Sequence, residues 1–228
     1  MSIRRKVMII TGANSGIGLE CFKKFADIYT VIGISRNINN LIDMSLANTK
    51  IYQCDVSDFA ALKKVIEDII NSYTNIDILI NNAGDVEFVD LSIKSHESNA
   101  SMISTNIVGF TNILELVVPY LLAKQSGDVI NISSLSDRNP RPMKPVYAAS
   151  KAYVRSISES LRKQCAKHNI RITNIAPANI DTPMLEKSAQ TQHMISKQDF
   201  VNILKFIIEL PSSICIRDLV IAPTGYEN

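Results

Sequence analysis

Lys6–Gly18, KVMIITGANSGIG, runs four consecutive apolar residues, Val7–Ile10, straight into a turn holding Gly12, Gly16 and Gly18. An amphipathic helix pattern follows over Gly16–Ile28. Glycines in such a turn allow the backbone to bend sharply and to approach a pyrophosphate closely. The helix that begins there offers free N–H groups and a favourable dipole to an anion. A plain turn would account for one or two glycines, but three between a strand and a helix point to a dinucleotide. The expected contacts are Gly12, Asn14, Ser15, Gly16, Ile17 and Gly18.

Outward from this stretch the same alternation continues. Lys6–Thr11, Thr30–Ser35, Ile51–Cys54, Ile76–Ile80, Asp128–Ser133, Ile170–Ile175 and Leu219–Ala222 read as short strands. Several are apolar almost throughout, as strands covered on both faces are. Helical patterns separate them over Gly16–Ile28, Asp58–Ser72, about Asn99–Lys124, Tyr147–His168 and Lys197–Glu209. The expectation is an α/β fold: a Rossmann-type, doubly wound parallel sheet of about seven strands, helices on both faces, in a single domain over 1–228. Ile103, Ile107, Phe110, Leu114, Val117 and Leu121 recur at steps of 4, 3, 4, 3 and 4, one long apolar stripe. It is read as facing the sheet, or as contributing to a subunit contact.

The 228 residues are 46% apolar and 20% charged, with a formal net charge of +2. That is ordinary for a globular chain with a sizeable core. The charge is too small to argue for nucleic acid or an anionic membrane as partner. No apolar run reaches the ~18 residues of a membrane span, and the start is too short in apolar residues for a secretory signal. Cys21, Cys54, Cys165 and Cys215 are far apart, as are the three histidines, so neither a disulfide nor a metal centre is expected. The expected compartment is the cytoplasm.

The end of the second strand bears on the cofactor. A carboxylate there grips the ribose hydroxyls of NAD, whereas an arginine meets the 2′-phosphate of NADP. The chain has Ser35 in the acid's place and then Arg36, which can bind a phosphate in a bidentate, charge-assisted way. NADP(H) is therefore the preferred cofactor, with NAD(H) possible.

Further motifs complete a pattern: CDVSD at 54–58, NNAG at 81–84, Asn106 with Gly109, ISS at 132–134, Tyr147 four residues before Lys151, and APANIDTPM at 176–184. Together with TGANSGIG at 11–18, they resemble the short-chain dehydrogenases/reductases of the single-domain type, from Lys6 to about Thr224. The resemblance implies that Asp55 bonds the adenine amino group with Val56 beside it. It implies that Asn81, Ala83 and Gly84 border the adenosine ribose and stabilise the central sheet, and that Pro177, Ile180 and Thr182 cradle the nicotinamide. Asn106 would hold water and a lysine-linked relay, and Ser134, Tyr147 and Lys151 would be catalytic. Family members commonly pair through the two long helices, here about 99–124 and 147–168, so a homodimer or homotetramer is expected. The chain departs from the pattern in having Pro177-Ala178 instead of Pro-Gly and no double glycine after the last strand. Its segment between Thr182 and the next helix is also short, with 184–196 readable as a lid or as an ordinary helix.

Tyr147 and Lys151 lie one turn apart on a helix face. A phenol has a pKa near 10, and bringing it to ~7 takes about 4 kcal/mol. A cation some 4 Å away, at an effective dielectric of about 20, supplies roughly that much. The expected activity is reduction of a small-molecule carbonyl: hydride to the carbon, a proton from Tyr147 to the oxygen, and Ser134 bonding the developing alkoxide. Lys151 would lower the Tyr147 pKa and also hold the nicotinamide ribose, so both Tyr147 and Lys151 count among the cofactor contacts. Two alternatives stand beside this: an NAD(P)-dependent sugar or alcohol dehydrogenase working oxidatively, and a dinucleotide-binding sensor without chemistry.

Overall fold

The computed structural model describes residues 4–44, 46–88, 91–92, 95–186 and 193–227. Its first strand, β1 (Val7–Thr11), is buried along its whole length, so its side chains must find apolar partners on both sides. Val7 and Ile9 point into one core and Met8 and Ile10 into another, the period-2 alternation of a strand. The remaining strands are β2 (Thr30–Ser35), β3 (Thr49–Gln53), β4 (Ile78–Asn81), β5 (Gly127–Ile132), β6 (Ile170–Pro177) and β7 (Asp218–Ile221). Among the described residues these form one parallel sheet in the order β3-β2-β1-β4-β5-β6-β7. The strand order reverses between β1 and β4, and ligands of such sheets bind outside the carboxyl ends of the strands at that switch.

The helices are α1 (Gly16–Phe25), α2 (Asn39–Ile42), α3 (Phe59–Tyr73), α4 (His96–Ile103), α5 (Phe110–Lys124), α6 (Pro145–Cys165), α7 (Pro183–Glu186) and α8 (Lys197–Glu209). On one face Leu62 and Ile66 of α3, Phe110 and Val117 of α5 and Val154 of α6 pack with Val7 and Ile9. On the other, Phe22 and Phe25 of α1 and Phe200 and Leu204 of α8 pack with Met8 and Ile10. Each such side chain, fully buried, stabilises the fold by about 1.5–3 kcal/mol. Side-chain caps start two of the helices: Asp58 accepts from Ala61 N at 3.0 Å, and Ser196 from Asp199 N at 3.0 Å. The four cysteines are unpaired.

All seven strands of the sequence reading are present; β2 has the expected ends and the others shift by one or two residues, β3 beginning two before the expected Ile51. As an edge strand it is only half covered, so a rule based on continuous apolar runs misses its ends. The helix expected over 99–124 is longer and not uniform. Between α4 and α5 the backbone runs as a π-helical segment, Ser104–Gly109. The wider turn shifts the helical phase and splits the apolar stripe. Phe110, Leu114, Val117 and Leu121 face the sheet as expected, while Ile103 is 41% exposed. The stretch His96–Lys124 is apolar enough to span a membrane by length, but half of its most apolar window is buried in the core, which accounts for its composition.

A row of polar side chains crosses the sheet just below its carboxyl end. Asn81, Asn131, Asn174 and Asp218 are successive register partners on β4, β5, β6 and β7. Asn81 donates to Phe110 O at 3.2 Å and Asn131 to Ser158 Oγ at 2.9 Å. These bonds tie the sheet to α5 and α6, the helices that carry the candidate site.

Candidate active site

The glycine turn after β1 is locked against the end of β4. Gly12 has a φ of +66°, a region costly for any residue with a Cβ, and a Cβ there would sit 2.9 Å from Ala83 Cα. Gly18 leaves no room either, since its Cβ would lie 2.2 Å from the Gly12 carbonyl oxygen. Asn82 donates to Thr11 O at 2.9 Å and Gly12 O at 3.3 Å, while Thr11 Oγ1 accepts from the Asn82 and Ala83 amides. Ser15, the residue before α1, makes no side-chain cap, which leaves the first N–H groups of that helix for a ligand.

The result is an open cleft of about 780 Å³. Gly12, Ser15, Gly16 and Ile17 form its floor, Ser35 and Arg36 one end, and Val56, Ala83, Gly84 and Thr182 its walls. A glycine turn at an uncapped helix start fits the pyrophosphate of a nicotinamide dinucleotide. Arg36 is half-exposed and 3.8 Å from Asp85, a surface pair too weak to keep the guanidinium from another anion.

Of the expected contacts, Tyr147, Lys151, Pro177 and Ile180 line a neighbouring cleft, and four others line neither. Asn14 accepts from Asn40 N at 2.9 Å, pinning the turn to α2. Gly18 packs beneath Gly12. Asp55 accepts from both the amide and hydroxyl of Ser57 at 2.8 Å, a local turn, while its neighbours Cys54 and Val56 face the cleft. Asn81 is buried in the polar row, so of the two roles expected of it the sheet contact is the one its bonds describe. Its neighbour Asn82, which the sequence reading passed over, lines the cleft instead.

A second cleft of about 770 Å³ adjoins the first and shares Ile17, Asn82, Gly84, Thr182 and Met184 with it. Ser134, Tyr147, Lys151, Pro177 and Ile180 all line it. Ser134 follows β5 and opens a short 3₁₀ turn, its Oγ accepting from Ser136 N at 3.2 Å. Tyr147 and Lys151 project from the first turns of α6, and the Lys151 ammonium lies 5.7 Å from the Tyr147 ring centre. That ammonium donates to Ile132 O at 3.0 Å. Asn106 sits one layer behind, in the π-helical segment, accepting from Asp85 N at 2.7 Å and donating to Ser150 Oγ at 3.1 Å. A Cβ built on Gly84 would be 3.3 Å from Lys151 Nζ and 3.4 Å from Asn106 Oδ1, so both groups border the same small space. Ala178 has no left-handed φ, so this turn tolerates the Cβ that replaces the usual glycine.

The electrostatics differ from expectation in one respect. Burial pushes the Tyr147 phenol above its ordinary value, and the Asp137 carboxylate pushes the same way, against a hydrogen bond with Ser134. The expected downward pull of Lys151 is not what dominates: burial of the phenol is the largest influence. Burial holds the Lys151 ammonium itself down to about 8, against the opposing pull of Asp137.

Asp137 is a residue that no sequence motif marked. Its side chain is fully buried behind Ser134. It accepts from Ser133 Oγ at 2.9 Å, from Arg138 at 2.6 and 3.2 Å, and from Asn174 at 3.3 Å. Arg138 and Asn174 reach on to Asp218, which ties the 3₁₀ turn to β7. Lys144, Phe88 and Tyr226 also line the second cleft and were not anticipated. Of the stretch 184–196 read as a lid, 187–192 lie outside the described residues; Met184 borders both clefts.

Comparison with known proteins gives a consistent picture. The family model described as short chain dehydrogenase matches residues 6–193. The 3-oxoacyl-[acyl-carrier-protein] reductase of Thermotoga maritima is 36% identical over 194 residues, 82% of this chain and 79% of that protein. Two solved structures superpose closely at 27% identity. Serine dehydrogenase in a closed form with NADP+ has a TM-score of 0.88, covering 97% of this chain and 96% of its own. 4-Hydroxyisoleucine dehydrogenase with NADH has a TM-score of 0.89, covering 97% and 100%.

Proposed function

The chain belongs to the short-chain dehydrogenase family of oxidoreductases, and we propose that within it the protein is an NADPH-dependent carbonyl reductase. The observation that carries this reading is the adjacency of two clefts. One is a glycine-rich cradle at a helix start, and the other holds the Ser134 and Tyr147 hydroxyls. Gly12, Ser15, Gly16 and Ile17 would hold the pyrophosphate and Thr182 the carboxamide end. Arg36, with serine and not a carboxylate at position 35, favours the 2′-phosphate of NADP(H) over NAD(H). The nicotinamide, when bound, supplies the hydride.

The chain's own residues supply the rest. A substrate carbonyl oxygen placed between Ser134 and Tyr147 receives a hydrogen bond from the first and a proton from the second. Reduction requires a protonated phenol, and burial of Tyr147 favours that form. The Lys151 ammonium stabilises the phenolate left behind, and Asn106 with Ser150 holds the hydrogen-bonded space through which a proton returns. The same reading has copies of the chain pairing through α5 and α6, beside which Ile103 and Val108 remain exposed.

Tyr147→Phe tests the proposal. NADPH binding, followed by fluorescence, should survive. Turnover of any carbonyl found in an NADPH-oxidation screen, with NADH run alongside, should fall about 10²- to 10⁴-fold. Wild-type activity in this variant would remove Tyr147 from the mechanism.

A further inference from the structure

Lys144 occupies an unusual place for a lysine. It precedes α6, three residues before Tyr147, and lines the same cleft as Ser134 and Tyr147. Its ammonium lies 5.5 Å from the Phe88 ring centre and 5.4 Å from that of Tyr147, so it is stacked between two aromatic side chains and not extended into water. Among the described residues no carboxylate pairs with it. The neighbouring charge that acts on it is Arg141, of like sign, and burial and that charge together lower its proton affinity. Arg141 in turn donates to the Tyr226 hydroxyl at 2.6 Å and stacks on its ring, bringing the C-terminal segment to the rim of the cleft.

A half-buried cation beside another cation is costly unless an anion completes it. Aromatic faces offset only part of that cost. The start of a 21-residue helix adds further positive potential at the same point. The other walls near Lys144, Val86, Phe88, Leu135 and Ile180, carry no charge. Among the described residues the cleft therefore lacks a negative charge beside Lys144, next to the residue that handles the reacting oxygen.

Resting on the reductase reading above, we propose that the substrate carries a carboxylate a few bonds from its carbonyl, and that Lys144 binds that carboxylate. One point charge matches a monoanionic carboxylate better than a phosphate dianion, which would call for a second donor group. The ammonium lies 5.4 Å from the Tyr147 ring centre, and a short 2- or 3-oxo acid is the class that keeps carboxylate and carbonyl oxygen correspondingly close. The carboxylate is a spectator: hydride still goes to the carbonyl carbon and the proton to its oxygen.

The test compares short oxo acids with their methyl esters, in turnover with NADPH and in calorimetric binding of the matching hydroxy acid and hydroxy ester. The wild type should favour acid over ester by about 10- to 100-fold, the value of a charge-assisted hydrogen bond. In Lys144→Met that preference should collapse toward one through a rise in KM, and Lys144→Arg should restore part of it. Equal use of acid and ester by the wild type, no detectable binding of any acid, or an unchanged preference in Lys144→Met would overturn the proposal. Lys144-dependent binding of the hydroxy acid without turnover of any carbonyl would leave the carboxylate site standing and refute the reductase reading instead.

Discussion

Burial favours the protonated form of Tyr147 and brings the Lys151 ammonium down to about 8, so that it is charged only below that pH. For reduction the sign follows directly. In the proposed mechanism Tyr147 would serve as acid throughout the neutral range, and the ammonium that would stabilise its conjugate base is lost as pH rises through the Lys151 value. The kcat/KM for carbonyl reduction should therefore fall above about pH 8 with a single ionisation; a flat profile to the alkaline limit of stability would refute a role for the ammonium. Asp137 acts through Lys151, raising its proton affinity, and so is a positioning residue. Asp137→Asn should move the ionisation to lower pH. A merely structural Asp137 would lower the rate and leave the midpoint in place. At this scale the sequence was most informative where motifs are local, as with Ser134 and the Tyr147–Lys151 pair. It was silent on Asp137, Lys144 and Tyr226, whose partners are brought together by the fold and not by spacing.

The glycine turn and the π-helical segment show how far an element can be read in advance. Three glycines between a strand and a helix mark the turn without any knowledge of what surrounds it. The contact distances add which of them is least replaceable. In Gly18→Ala the new methyl would meet the Gly12 carbonyl at 2.2 Å, and backbone cannot yield as a side chain can. This variant should lose NADPH binding by at least tenfold, or be destabilised by about 1–3 kcal/mol in urea unfolding. Unchanged binding and stability would show that the turn has slack that its geometry does not suggest. The π-helical segment was invisible in the sequence. A stripe at steps of 3 and 4 fits one continuous helix, and the extra residue that turns Asn106 inward is compatible with the same letters. Neighbouring bonds, from Asp85 and to Ser150, hold that wider turn in place.

Across the whole molecule, the end of the sheet opposite the clefts is held by charge. Asp77 accepts from Val7 N at 2.8 Å, from Arg4 at 2.9 Å and from Lys124 at 2.7 Å, joining the N-terminal segment, β1 and the end of α5. These donors hold its carboxyl below the usual range, against the opposing effect of burial. A depressed carboxyl pKa contributes stability that is present above the unfolded value, near 4, and lost as pH falls through the folded one. Asp77→Asn should then lower the unfolding free energy by about 1–3 kcal/mol at neutral pH, with a smaller difference from wild type below pH ~3. An equal difference at both pH values would mean that the charge is not what matters.

The amino-acid sequence by itself determined the strand–helix alternation and the place of the glycine turn, and it marked Ser134, Tyr147 and Lys151, which line one cleft. Each of these is written in neighbouring residues, through period, apolar runs and short spacings. Only the tertiary structure decided that Tyr147 is harder to ionise than a free phenol, that Lys144 faces the same cleft, and that Tyr226 lines it as well. The physical reason is that desolvation and through-space charge depend on everything packed around a group, and those neighbours come from residues as far apart in the chain as Phe88 and Tyr226.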